Sequence, residues 1–267
     1  MEPGAHSGHF GWHSTQIRTD PMTKPFLILQ LRPETEASDD EFAAFLAKGG
    51  LEPGEVRRIR LDQEAIPEDL TLDDLSGVIV GGGPGCVSDA PEEKTAQEAR
   101  IEAAVLGLMP QVTARDFPFL GCCYGIGILG AHLGAEVGKG RYGEPVGTAD
   151  CRVTEAGQDD PLLDQVPESF AAFVGHKEAL HVLPEGCTHL VASDSCPYQM
   201  VRHGQHVYAT QFHPEADGAG FETRIRIYRN KGYFPPETAE DLIAMCRAAE
   251  VRAPEVILRN FVNRYRR

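Results

Sequence analysis

The stretch PFLGCCYGIGILG, residues 118–130, sets two adjacent cysteines between glycines, where an apolar strand-like run gives way to a helix-like one. Two incompatible chemistries can be read from it. Gly125, Gly127 and Gly130 spell G-x-G-x-x-G, the pattern that lets a pyrophosphate approach the first turn of a helix in dinucleotide-binding folds. That reading also needs an acidic residue ~20 positions on, at the end of the next strand. The region there, RYGEPVGTAD (141–150), reads as a loop broken by glycine and proline. The other reading is a nucleophile elbow, a sharp strand-to-helix turn that lifts one side chain above the sheet and needs small residues two positions to either side.

Spacing chooses which cysteine the elbow presents. Centred on Cys123, the pattern is Gly121-Cys122-Cys123-Tyr124-Gly125, with glycine at both flanks. Centred on Cys122, the flanks are Leu120 and Tyr124, too bulky for the turn. Cys122 is therefore expected in the core as a small hydrophobe. Cys123 falls at a helix N-terminus, where the dipole and free N–H groups favour thiolate and predict a thiol pKa below the usual ~8.5. A thiol nucleophile works with a base that takes its proton and later protonates the leaving group. Of ten histidines, His213 has the most informative setting, in VYATQFHPEAD (207–217). Pro214 stiffens the turn, and Glu215 falls on the same face as His213, placed to hold one ring nitrogen and present the other. A third glycine turn, VIVGGGPG (78–85), follows a short buried run. It lacks G-x-x-x-x-G-K-[ST], as does GAEVGKG (134–140), so a phosphate cradle is not indicated. A backbone N–H aimed at a developing oxyanion is the better use.

The flanking sequence predicts the frame. PFLILQL (25–31) has the length of a buried strand, and VRRIRLD (56–62) that of an edge strand, given its three arginines. Between them SDDEFAAFLAKGG reads as a helix with Ser38 at the N-cap and Glu41 at the capping-box position. Residues 91–112 form a second helix with Pro91 and acids in its first turn. Strand and helix alternate, which predicts an α/β fold with a mostly parallel sheet covered by helices on both faces. Beyond Gly138 short β-like segments take over, with a hairpin turning at His203-Gly204. The chain divides into a leader over 1–23, an α/β domain over 24–217 and a helical C-terminal extension over 218–267.

GGGPG, GCCYG and HPE, in this order at strand ends, resemble the class I, triad-type glutamine amidotransferase domain over about residues 24–217. The stand-alone group similar to the amidotransferase domain of GMP synthase is the nearest in character. The resemblance implies a flavodoxin-like fold and an amidohydrolase that releases ammonia from glutamine. Cys123 would attack the carboxamide carbon, His213 would serve as base and acid, and Glu215 would orient it. The N–H groups of Gly83 and Tyr124 would form the oxyanion hole. FVGHKEAL occupies the position of a segment lying against the bound substrate, making Val174, Gly175 and His176 binding candidates. Many members carry glutamine four residues after the nucleophile; Gly127 stands there in this chain and leaves room for a γ-glutamyl amide. A γ-glutamyl peptidase or hydrolase using the same triad is therefore the alternative enzyme. A non-catalytic regulatory relative is the alternative outside enzymes, and the intact triad argues against it.

Bulk properties agree. The net charge of −15 on 267 residues argues against nucleic acid and anionic membranes as partners. Seven cysteines without a C-x-x-C pair indicate reduced thiols in a cytoplasmic protein rather than a disulfide framework or zinc ribbon. No apolar run approaches the ~20 residues of a membrane span, and the first twenty residues lack the layout of a secretory signal. His6, His9 and His13 lack the accompanying carboxylates of a metal site, so neither metal nor cofactor is expected. The expected partners are glutamine or a γ-glutamyl compound and a separate synthetase or acceptor-binding chain.

Overall fold

A computed structural model describes residues 24–267, so the leader and its three histidines lie outside the described residues. Nine strands form one sheet, in the order β2-β1-β3-β4-β9-β8-β7-β5-β6. β1 (Phe26–Gln30), β2 (Val56–Arg60), β3 (Gly77–Val80), β4 (Phe119–Cys122) and β9 (Val207–Thr210) are mutually parallel. The arginine-rich β2 takes the edge, as its composition predicts, while β1 is buried along its whole length. Parallel strands covered on both faces read as continuous apolar runs, which is why FLIL and GVIV carry no alternation. β5 (Val137–Val153), β6 (Ser169–Leu180), β7 (Cys187–Ala192) and β8 (Met200–His203) continue the sheet antiparallel. Gly204, at φ +58°, makes the β8–β9 hairpin.

Residues 141–150 correct the expectation of a broken loop. They belong to β5, which pairs with β6 and absorbs its glycines and Pro145 through shifts of register between Lys139 and Gly147. Bulges of this kind let an irregular sequence stay in a ladder. The strand is antiparallel and remote from β4, so the site a dinucleotide fold would need beside β4 is still absent.

Alternate residues of β1 feed separate cores. Phe26 and Ile28 pack with Phe45 of α1 (Thr35–Gly49) and Phe261 of α6 (Ala253–Tyr265). Leu27 and Leu29 pack with Val105 and Met109 of α2 (Ala96–Ala114) and Ile126 and Ile128 of α3 (Tyr124–His132). A third cluster joins Phe173 of β6 to α4 (Gly218–Tyr228) and α5 (Ala239–Ala248) through Phe221, Ile225 and Ile243. The C-terminal RNFVNRYRR, whose arginines would suit a solvated helix end, buries Phe261, Val262 and Tyr265.

The start of α1 also departs from expectation. The helix begins at Thr35, just past Pro33, so Ser38 and Glu41 lie inside it and are buried. The capping box reads correctly by pattern and wrongly by place, because both residues serve tertiary partners. Gln30 Nε2 donates to the Ser38 carbonyl at 2.5 Å, and Arg32 Nε donates to Glu41 at 2.9 Å. α2 has a genuine box, with Thr95 accepting from the Glu98 N–H and the Glu98 carboxylate accepting from the Thr95 N–H.

Candidate active site

The carboxyl ends of β1, β3, β4 and β9 converge on one cleft, the usual place for a site in an open parallel sheet. β4 ends at Cys122, which is wholly buried in the core. Cys123 follows with φ +54° and ψ −92°, a conformation a non-glycine residue holds only under constraint, at a cost of roughly 1–3 kcal/mol. Two features supply that constraint. The Cys123 N–H donates to the Thr210 carbonyl at the end of β9, at 2.7 Å. A Cβ on Gly121 would stand 2.9 Å from the carbonyl carbon and oxygen of Gly125, so the turn closes only over glycine at 121. Position 125 differs: its Cβ would meet nothing nearer than Val80, at 3.8 Å.

β9 runs past Thr210 into the turn carrying His213. The His213 N–H donates to the Phe173 carbonyl at 3.0 Å, anchoring the turn to β6. The His213 ring is buried, with Nδ1 2.9 Å from Glu215 Oε1. Glu215 is fully buried and also accepts from Arg224 Nη2 at 2.9 Å. Burial opposes ionisation of Glu215, but the adjoining His213 and Arg224 outweigh it and hold the carboxyl far below the usual carboxylate range. An ionised Glu215 only accepts, so Nδ1 carries the proton and Nε2 keeps its lone pair. Burial pushes the His213 pKa below its ordinary value; Glu215 pulls it back, while Arg224 and Arg32 lower it further. Phe221 on α4 meets the ring in a T-shaped arrangement, at 5.6 Å between centroids.

The thiol does not follow the helix-dipole expectation. Burial pushes the Cys123 pKa up to about 12, with Arg32 and Arg224 opposing and Glu215 adding to the rise. Desolvation of the charged form outweighs the first turn of α3. The cleft at rest thus holds a neutral thiol and a neutral imidazole.

The glycine turn after β3 sits on a buried ion pair. Gly81 N–H donates to the Leu29 carbonyl at 3.0 Å and Gly82 N–H to Glu41 Oε1 at 3.2 Å. A Cβ on Gly81 would fall 2.4 Å from Glu41 Oε2, and one on Gly82 would fall 2.7 Å from both Arg32 Nη2 and His213 Cε1. Glycine at 81 and 82 is thus demanded by the Arg32–Glu41 pair on one side and the His213 ring on the other. Gly83 comes next, and Tyr124 is the first residue of α3, where a helix N–H has no intrahelical acceptor. The Tyr124 hydroxyl donates to Glu102 at 2.7 Å.

Cys123, His213, Gly83, Gly175, Arg32 and Arg224 line one small cavity of about 40 Å³. Cys123 also borders a second, of about 20 Å³, with Gly127, His176 and Glu178. A larger cavity of about 310 Å³ lies beyond, and Gly83 and Tyr233 border all three.

The sequence profile of the family Glutamine amidotransferase class-I matches residues 40–226, more than half of the chain, a span that includes Cys123, His213 and Glu215. The chain belongs to this family. A glutamine-hydrolyzing GMP synthase subunit of Archaeoglobus fulgidus is 29% identical over 160 residues, covering 60% of this chain and 75% of that protein. The corresponding GMP synthase subunit of Natronomonas pharaonis is 28% identical over 171 residues, covering 64% and 79%. The glutamine-hydrolyzing GMP synthase of Neisseria meningitidis serogroup C is 28% identical over 203 residues, covering 71% of this chain but only 36% of that protein. The chain therefore spans about a third of the length of that longer enzyme. A glutamine amidotransferase from Thermotoga maritima shares the fold, with a TM-score of 0.68 at 19% identity, covering 91% of this chain and 98% of that one. The flavodoxin-like α/β fold with helices at the C-terminus is that of the class I amidotransferases.

In this member of the family, the segment expected to face substrate divides sharply. Gly175 lines the cavities beside Cys123, while the Val174 side chain belongs to the core. His176 borders the cleft, yet both ring nitrogens are taken: Nδ1 faces the Glu178 carbonyl at 2.8 Å and Nε2 the Glu144 carboxylate at 2.7 Å. Among the described residues, Glu144, His176 and Cys196 are the group whose donor atoms lie close enough together for a metal, within 4.8 Å. The 2.7 Å contact between two of them is a hydrogen bond, shorter than the separation two ligands keep across an ion with bonds of about 2.0–2.2 Å.

Sequence reasoning missed Arg32, Glu41, Arg224, Glu178 and Tyr233. Arg224 carried no signal, because nothing in FETRIRIY distinguishes the arginine that turns inward from its neighbour at 226. Arg32 and Glu41 did carry one: a charged pair nine residues apart, beside a buried strand and inside a predicted helix.

Proposed function

We propose that this amidotransferase hydrolyses the side-chain amide of glutamine through a γ-glutamyl thioester on Cys123 and releases ammonia to a separate synthetase chain. The observation that carries the reading is the strained Cys123 elbow sharing one cavity with a His213 held by Glu215. His213 Nε2 takes the thiol proton as sulfur attacks the carboxamide carbon, so charge develops only along the reaction path. The N–H groups of Gly83 and Tyr124 stabilise the oxyanion. The imidazolium, stabilised by Glu215, protonates the departing nitrogen, and ammonia leaves. Water then attacks the thioester with His213 as base, glutamate departs, and the thiol is restored. No cofactor enters any of these steps.

The similarity to GMP synthase subunits of Archaeoglobus fulgidus and Natronomonas pharaonis supports an ammonia acceptor on another polypeptide. The seven free cysteines suit a reducing cytoplasm. Among the described residues no helix is long and apolar enough to cross a membrane. One observation favours γ-glutamyl amides as second substrates: the cavity of about 310 Å³ that shares Gly83 and Tyr124 with the cleft has the size of a small-ligand site and suits a larger leaving group. Ammonia release from glutamine, and amine release from γ-glutamyl dipeptides, should both be measured. C123A should abolish turnover and C122A should largely keep it. Activity on dipeptides alone would replace the glutaminase reading by the peptidase one.

A further inference from the structure

Two lysines, Lys177 and Lys231, border the large cavity of about 310 Å³, and only one of them has an anionic partner. Lys231 lies 3.7 Å from the Glu34 carboxylate, which also accepts from the Tyr228 hydroxyl at 2.9 Å. Lys177, on β6, is exposed. Among the described residues it has neither a carboxylate within ion-pair distance nor an acceptor within hydrogen-bond distance of its ammonium. Its neighbour Glu178 accepts from the Val87 and Ser88 N–H groups instead. The Lys177 ammonium stands 4.2 Å from the centroid of the Tyr233 ring. The Tyr233 hydroxyl donates to the Pro84 carbonyl at 3.0 Å, which tethers the ring to the turn that carries Gly83. A ring face attracts an ammonium without neutralising it, so the charge is positioned and still available. The other carboxylate of the cavity, Glu98, is engaged at the start of α2, where it accepts from the Thr95 N–H and hydroxyl, each at 2.8 Å.

Lys177 also borders the cavity of about 20 Å³ lined by Cys123, together with Gly83 and Tyr124. The same three residues border the large cavity, so they mark where the two spaces adjoin. The spaces beside the thiol, about 40 and 20 Å³, hold no more than a few waters, since one water needs about 10–15 Å³. A bulky group on the amide nitrogen of a substrate therefore finds room in the large cavity, past Gly83 and Tyr124 and within reach of Lys177. We infer that Lys177 binds a carboxylate on the departing amine, so that this site takes γ-glutamyl dipeptides, whose leaving group is an amino acid, in preference to γ-glutamyl amides of neutral or cationic amines. This rests on the reading of Cys123 as the nucleophile toward such amides. The bonds are those of the glutaminase reaction. Sulfur–carbon forms, the amide carbon–nitrogen breaks, and His213 gives the departing amino acid the proton it took from the thiol. Water then releases glutamate and restores the thiol.

The test compares three γ-glutamyl amides that differ in the charge of the leaving group, following glutamate release. They are γ-glutamyl-alanine, its neutral alaninamide and the cationic γ-glutamyl-ethylenediamine, with L-glutamine beside them. Wild type should favour the alanine compound over the alaninamide about fivefold in kcat/KM, and the cationic amide least. High salt should shrink that preference, because the lysine is exposed. K177M keeps the aliphatic stem and removes the charge, so it should bring the first two compounds to within about a factor of two, chiefly through KM. K177R should restore the preference. Thermal melts identify any variant that has simply unfolded. A wild-type preference for the neutral or cationic amide, or a preference kept in folded K177M, would overturn the assignment. So would a loss of equal size on L-glutamine, whose leaving group carries no carboxylate. Calorimetry of the alanine compound and the alaninamide on C123A and C123A/K177M reads the subsite without turnover. Selective binding lost with Lys177 upholds it even when the wild type releases no glutamate, which would sink the hydrolytic reading alone. Equal or absent binding of both compounds on C123A refutes the subsite.

Discussion

Replacing Glu215 by glutamine keeps the shape of the site and removes one charge. The amide oxygen can still accept from His213 Nδ1, so the tautomer survives, but the imidazolium that the proposed attack by Cys123 would form loses its counter-ion. With Nδ1 and Oε1 2.9 Å apart, the charge centres lie about 4 Å apart, and at an effective dielectric near 20 the interaction is about 4 kcal/mol. Neutral thiol and neutral imidazole in the resting state mean that almost none of this is present before reaction. It falls on the barrier, so kcat/KM for glutamine should drop about a thousandfold. Arg224 complicates the measurement, because E215Q leaves its buried guanidinium unpaired at a cost of about 3–5 kcal/mol in stability. The double variant E215Q/R224M should recover most of that stability without recovering activity. Ammonia release is therefore read at a temperature where melts show both variants folded. A folded E215Q within tenfold of wild type would refute the assignment of Glu215 as the partner of the catalytic imidazolium.

Other consequences can be checked separately. Arg224 disfavours the His213 imidazolium, so R224Q should raise the histidine pKa. His213 must be neutral to act as base, and the acid limb of kcat/KM should consequently move to higher pH; an unmoved or lowered limb contradicts the electrostatics. With the thiol pKa pushed up to about 12, iodoacetamide labelling of Cys123 should climb with pH beyond 9, and a plateau between pH 5 and 8 would instead reveal a resting thiolate. G121A should cost at least about 1–3 kcal/mol and abolish labelling, whereas G125A should stay folded and near neutral in a melt, because only the first would clash with backbone. Y233A should speed labelling of Cys123 severalfold, since Tyr233 stands where the larger cavity adjoins the two small ones beside the thiol; an unchanged rate would show that access runs elsewhere.

The elbow was legible because its requirement is local. A turn that closes over position 121 tolerates only glycine there, and that constraint alone separates Cys123 from Cys122. The HPE turn was legible because histidine and glutamate two residues apart can meet without help from the rest of the chain. The parallel half of the sheet announced itself through unbroken apolar runs. What was hidden depends on distance. Arg224 reaches Glu215 from a helix whose sequence suggests a solvated face, and Glu41 looks like a cap until the fold brings Arg32 and the glycine turn against it. β5 was hidden because its pairing tolerates shifts of register that no local pattern encodes. The thiol pKa was misjudged for a related reason: a helix N-terminus is visible in sequence, and the burial that overrides it is not.

Intact-mass analysis and peptide mapping, after the protein is trapped with a glutamine-like electrophile, bear most directly on the elbow's choice between neighbouring sulfurs. A single γ-glutamyl-type adduct on residue 123, blocked by excess glutamine, is the anticipated outcome. An adduct on residue 122, or none on folded protein, would contradict the account.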